Sequence, residues 1–400
     1  MATKKTTTAS TKPAAQKPAA KKPAAKKPAA KKTTAKTAAT KQTMTAPAAD
    51  IEAVVDEMRT HKKVGSDRVV AVIGAFGFLG RRLLARLEED PEVDRIVAVD
   101  VRSGIASLDE SNDDDHRAVL LRHPKLSAHT LDLTTPGADR ELADILRTEE
   151  AGALFHLAFL STPTHHQEMA HELETIGTHY VLNAAREAGI TRLVSLSSTM
   201  CYGARPDNPA FLNEDHPLRP PPSRTLKDKA DADEQVRRFG AEHKDIAVSI
   251  ARLGAMVPTA KDHFWTRIFS RRFVPAVLGY DPMMQFLHPD DAISALLGLW
   301  RAQARGPVNV VGRGYLPLSH LLTRLERAPL YLPAALGSSI IGTLWQAQLV
   351  DMPQHFFGFL RWSWLADDKR LKSITGFSPL HDLSTVLTVL AASRSVKEQP

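Results

Sequence analysis

The feature that most restricts this chain is a glycine-spaced turn, Gly74-Ala75-Phe76-Gly77-Phe78-Leu79-Gly80. Residues 68–73 (RVVAVI) before it read as a buried strand, and residues 79–89 after it read as a helix. Each glycine has its own task at such a junction. Gly74 permits the tight turn, Gly77 lets a pyrophosphate approach the backbone, and Gly80 lets the helix pack closely on the strand. The helix N-terminus then offers free N–H groups and a partial positive charge to phosphates. Asp100 closes the next apolar run, 94–99, at the spacing expected for a ribose-binding carboxylate. It would accept both hydroxyls of an adenosine ribose and repel a 2′-phosphate, which favours NAD over NADP. Arg102, two residues on, would soften that discrimination. The plainer role for Asp100 is that of a strand-end turn residue.

The runs that follow keep alternating in type. Residues 129–133, 153–157, 192–196 and 246–250 read as strands; 137–149, 167–188 and 226–243 read as helices. Loops are expected at 109–115, 160–165 and 204–222. This alternation predicts an α/β fold, a Rossmann-type doubly wound parallel sheet, over residues 67–255. After residue 255 it fades, and 256–400 are expected to form a smaller C-terminal substrate lobe, with some strands returning to the main sheet. Within it, 333–350 (PAALGSSIIGTLWQAQLV) is apolar but short and interrupted by Gly and Ser. A buried helix or a substrate-facing lid suits that stretch better than a membrane span.

The first 49 residues are of another kind. Residues 13–32 repeat a five-residue unit, PAAQK then three PAAKK. Proline in every unit blocks a helix and the lysines repel one another, so 1–49 are expected to be a disordered basic tail. Residues 50–66 are expected to be a linker helix. The tail holds 12 of the 52 basic residues and no acid, so the other 40 bases face 45 acids and the net +7 becomes −5 without it. The basic character therefore belongs to the tail, which would contact nucleic acid or another polyanion through residues 1–45, or serve as a solubilising spacer. A single cysteine, Cys201, excludes an internal disulfide and suits a reducing cytoplasm. The chain shows neither a secretory signal nor a transmembrane stretch.

Further motifs follow the glycine turn in an order that resembles the extended short-chain dehydrogenase/reductases, and among them the NAD-dependent epimerase/dehydratase group with UDP-glucose 4-epimerase-like proteins. GAFGFLG resembles the family's TGAxGxxG, with Ile73 in place of Thr. Asp132-Leu133 resembles the acidic-Leu pair whose carboxylate meets the adenine amine. Phe155-His156-Leu157-Ala158 resembles the HxAA segment beside the nicotinamide ribose, with Phe159 replacing the second Ala. Gly177-Thr178 with Ala184-Ala185, Leu196 through Gly203 (LSSTMCYG), Arg252-Leu253-Gly254, Phe286 through Ala292 (FLHPDDA) and Val308-Asn309-Val310 complete the series. The resemblance implies NAD as cofactor, held by Gly74, Phe76, Gly77, Phe78, Leu79, Gly80, Asp100, Arg102, Asp132, Leu133, Leu157, Ala158 and Lys229. It also implies a small-molecule substrate, with a homodimer left open.

The same resemblance exposes a departure. Family members use a Tyr as proton acceptor, lowered by a Lys four residues on, and a Ser or Thr to hold the substrate oxygen. Ser198 matches the hydroxyl and Lys229 the lysine, which puts Thr225 where the Tyr belongs. No tyrosine occurs between Tyr202 and Tyr280, so no change of register supplies one. Glu174 stands where the family often has Asn. Tyr202, Tyr280, His165, His166 and His288 are candidates for a substitute base. The plain readings are a strand-end serine for Ser198 and a solvated lysine for Lys229. No metal site is indicated, and Cys201 reads as packed rather than reactive.

Two functions follow. One is an NAD-dependent oxidoreductase acting on a nucleotide sugar or another hydroxylated metabolite. The other is an NAD-binding sensor or scaffold without redox turnover. Arg267, Arg271, Arg272 and Arg313 could meet a diphosphate. The run 356–364 (FFGFLRWSW) would suit an apolar substrate, or more simply the packing of the lobe core.

Overall fold

A computed structural model describes residues 68–101, 124–257 and 263–392. The tail 1–49, the linker helix 50–66, Arg102 and the acidic loop 109–115 lie outside the described residues.

Seven strands form one parallel sheet: β1 (Val69–Ile73), β2 (Arg95–Asp100), β3 (Leu126–Thr130), β4 (Ala153–His156), β5 (Arg192–Ser198), β6 (Ala247–Leu253) and β7 (Gly306–Val310). Their order across the sheet is β7-β6-β5-β4-β1-β2-β3, and every neighbouring pair is parallel. Parallel strands need helical crossovers. Among the described residues these are α1 (Phe78–Glu88), α2 (Ala138–Thr148), α3 (Gly177–Glu187), α4 (Arg224–Glu242) and α5 (Pro289–Arg301). A short helix, Gln167–His171, and one π turn, Glu172–Ile176, lead into α3.

The period of two along each strand assigns its residues to two faces. Val70, Val72, Ala98, Phe155 and Val194 pack under α1 and α5. Ala71, Ile73, Val97, Leu154 and Ile250 pack under α2, α3 and α4. Order reverses between β1 and β4, so the crevice at their carboxyl ends is a topological switch point, where open α/β sheets bind ligands.

One strand sits earlier than its sequence suggests. The expected run 129–133 is β3 at Leu126–Thr130. Leu131 and Leu133 are buried beyond the strand, where they border the crevice, and their apolar character mimics a continuing strand.

A third core joins aromatic side chains from the region expected as a lobe, including Phe264, Trp265, Phe269, Phe356, Phe359 and Trp364, to Met200, Tyr202, Leu212 and Leu226. The run 356–364 thus mostly packs the lobe. The stretch 333–350 forms a helix, Gly337–Gln346, that is only half buried: Ile341 and Trp345 point inward, while Leu336 and Ile340 are exposed. No helix among the described residues is long and apolar enough to cross a membrane.

Candidate active site

β1 ends at Ile73, and Gly74 turns the chain with φ +80°, where a side chain would be strained. A Cβ on Gly74 would lie 2.8 Å from the Ala158 nitrogen, so β1 and the segment after β4 approach backbone to backbone. A Cβ on Gly80 would lie 2.2 Å from the Gly74 carbonyl oxygen, so α1 can begin against the turn only with glycine there. The α1 N-terminus has no side-chain cap at Gly77, which leaves its first N–H groups for a ligand or water. Asp100 closes the turn, because its Oδ2 accepts the Phe76 N–H at 2.9 Å.

These residues border one cavity of about 620 Å³. Gly74, Phe76, Gly77, Phe78, Leu79 and Gly80 line it, with Asp100, Asp132, Leu133, Leu157 and Ala158. Ser198, Thr225 and Lys229 line the same space. The cofactor-binding candidates within the described residues, with Ser198, Thr225 and Lys229, are therefore gathered in one crevice at the carboxyl ends of the strands. Asp132 Oδ1 also accepts from the Thr134 N–H and hydroxyl, which fixes its carboxylate.

Thr225 and Lys229 are one turn apart on α4 and share a face. The Lys229 ammonium donates to Glu174 Oε1 at 2.5 Å. That oxygen also accepts the Leu160 N–H at 3.0 Å, and Glu174 is fully buried within the π turn. Burial pushes the Glu174 carboxyl up, against the pull of the Lys229 charge. The other oxygen, Oε2, has no hydrogen-bond partner among the described residues. Glu174 and Lys229 lie far apart in the chain, so sequence marks the glutamate as a departure without indicating its partner. Beside them, Thr178 donates to the Glu174 carbonyl at 2.6 Å and contacts His156 Nε2 at 3.1 Å. Desolvation lowers the His156 imidazole to about 3, so it stays neutral.

The candidates for a substitute base lie elsewhere. Tyr202 is wholly buried. Its hydroxyl donates to Asn309 Oδ1 at 2.8 Å and accepts from Arg252 at 2.9 Å. Arg252 also makes two bonds to Asp233, at 2.9 and 2.8 Å, so Tyr202 braces α4 against β6 and β7. Burial pushes its phenol up to about 12. Tyr280 accepts from Arg361 at 2.7 Å. His165 stacks on Trp345 at 3.9 Å, and His288 stacks on His381 at 3.8 Å. None of these, nor His166, borders the cavity. Sequence reasoning missed His263, which does border it and whose pKa burial lowers to about 4. Cys201 is buried, and burial raises its thiol to about 12.

Comparison with known proteins agrees with this architecture. Residues 70–312 match the profile of the NAD dependent epimerase/dehydratase family. An uncharacterized protein of Mycobacterium tuberculosis is 31% identical over 317 residues, covering 78% of this chain and 80% of its own. A 3-diazoavenalumate denitrifying reductase from a Streptomyces species is 27% identical over 338 residues, covering 78% of this chain and 96% of its own. Among solved structures, the UDP-glucuronic acid 4-epimerase of Bacillus cereus, in complex with NAD, superposes with a TM-score of 0.63 at 15% identity. The match covers 83% of this chain and 100% of that one. The dTDP-glucose 4,6-dehydratase of Bacillus anthracis, also with NAD, gives 0.62 at 14% identity, covering 82% and 97%.

Proposed function

Because this chain belongs to the NAD dependent epimerase/dehydratase family, we propose that it is an NAD-dependent oxidoreductase in which Lys229 handles the proton that relatives pass through a tyrosine. Its substrate carries a secondary hydroxyl or the corresponding carbonyl. The observation that carries this reading is the position of Lys229: it borders the cavity beside Thr225 and Ser198, with its ammonium held by buried Glu174.

The residues present fit the cofactor. The backbone cradle at Gly74 and Gly80 tolerates no Cβ, and the uncapped start of α1 suits a pyrophosphate. Asp100 would take the adenosine ribose, Asp132 and Leu133 the adenine, and Leu157, Ala158 and Lys229 the nicotinamide half. The carboxylate of Asp100 disfavours a 2′-phosphate, so NAD is preferred to NADP.

When bound, the nicotinamide supplies or accepts the hydride at the substrate carbon. The chain's own residues manage the matching proton. In reduction, the Lys229 ammonium gives its proton to the substrate oxygen as that oxygen gains charge, and becomes a neutral amine. In oxidation, the amine takes the hydroxyl proton back. Ser198 holds the oxygen. Thr225, far too weak an acid to act alone near neutral pH, orients it or passes the proton along. Glu174 is a positioning residue: its buried carboxylate keeps the ammonium at the cavity wall.

Lys229→Met tests this. Turnover should fall by about a hundredfold or more, while NAD affinity measured on the same protein falls far less. A variant that binds NAD and turns over at the parental rate would overturn the assignment. Full NAD binding without turnover in any parent preparation would instead favour a sensor or scaffold.

A further inference from the structure

The end of the cavity away from the glycine turn is walled by Leu160, Met169, Met256, Phe264, Trp265 and Phe356. Phe264 lies 4.9 Å from Trp265 and 5.0 Å from Phe356, ring centroid to centroid, and all three belong to the lobe core. Side chains held in this way do not swing aside to admit others.

A nucleotide diphosphate brings about two negative charges, and a water-poor site must answer them with cations or aimed donors. The described residues supply little at this end. Lys229 is the sole Lys or Arg among the described residues that line the cavity, and Glu174 offsets its charge. The arginines that sequence reasoning offered for a diphosphate stand outside the cavity. Arg271 pairs with Asp351, and Arg267 approaches the same carboxylate at 3.8 Å. Arg272 lies over the Phe273 ring at 5.4 Å, and the Arg313 backbone forms a β-bridge with that of Asp382. His263 is held neutral by burial.

His263 and Trp265 also line the cavity, but His263 Nδ1 and Trp265 Nε1 are shielded from it, so neither offers a donor to an occupant.

We propose that this cavity takes an uncharged, largely apolar carbonyl or alcohol rather than a nucleotide sugar. The inference rests on the NAD-dependent reading given above. It separates this chain from solved structures of its fold such as the UDP-glucuronic acid 4-epimerase.

The test uses the full chain saturated with NAD and two kinds of probe. Prodan, a neutral fluorescent naphthyl ketone, should bind with a blue-shifted emission, and UDP or dTDP should not displace it at about a hundredfold excess. Displacement of prodan by UDP or dTDP, or failure of prodan to bind, would each overturn the proposal while NAD binding stands. Failure to bind NAD overturns both this inference and the reading beneath it.

Discussion

On the proposed reading, Thr225 stands where the family resemblance implies a tyrosine. A phenol gives up its proton near pH 10 in water, and an aliphatic alcohol only far above that. With Thr225 facing the cavity one turn before Lys229, the proposed mechanism assigns the proton to the lysine. Thr225→Tyr should therefore raise turnover, by about tenfold to a hundredfold if the phenol finds the family geometry. Steady-state rates under NAD saturation check this. No gain, with NAD binding intact, would contradict the idea that a missing acid limits the site. Much of the crevice was legible at this scale, because the glycines and Asp100 act through local backbone geometry and spacing. The Lys229–Glu174 pair was not, because nothing local joins two residues on different helices. Tyr202 misleads for a similar reason: its partners Arg252 and Asn309 come from strands far along the chain.

At the scale of elements, the joint between the start of α5 and the segment before the C-terminal helix carries a pH dependence. His288 caps α5, and its ring stacks on that of His381. Asp291 Oδ1 lies 3.1 Å from His381 Nδ1, and Asp291 also accepts the backbone N–H groups of Leu380 and His381. The nearby Asp291 carboxylate raises His381 above its ordinary 6.5, whereas burial, and then the charge of His381, lowers His288 below it. Asp290, Asp382 and Arg82 are the other charged groups acting on the pair. A raised histidine contributes stability that is present below 6.5 and lost as pH climbs through its folded value. A lowered histidine contributes stability that is present above 6.5 and lost as pH drops through its folded value. The joint contribution therefore peaks near 6.5. Thermal unfolding across pH should show that His381→Gln removes the decline on the alkaline side. An unchanged decline in the variant would refute this account of the joint. Sequence showed the FLHPDDA segment but not His381 as its partner, and the β3 register slipped because Leu131 and Leu133 are buried outside the strand.

For the molecule as a whole, alternating strand and helix patterns sufficed to read the doubly wound sheet, because each strand's apolar runs answer to helices on both faces. The lobe resisted, since its core joins aromatic residues from 264–269 to others from 356–364, and no periodicity links them. Its placement matters for function all the same: the lobe supplies the apolar wall, while the glycine turn and Asp100 supply the polar end. The central claim concerns that polar end, and a calorimetric titration of the full chain with NAD and then NADP tests it most directly. NAD should bind, at least about tenfold more tightly than NADP, and Asp100→Arg should narrow or reverse the preference. No measurable NAD binding, or a parent that prefers NADP, would contradict the account.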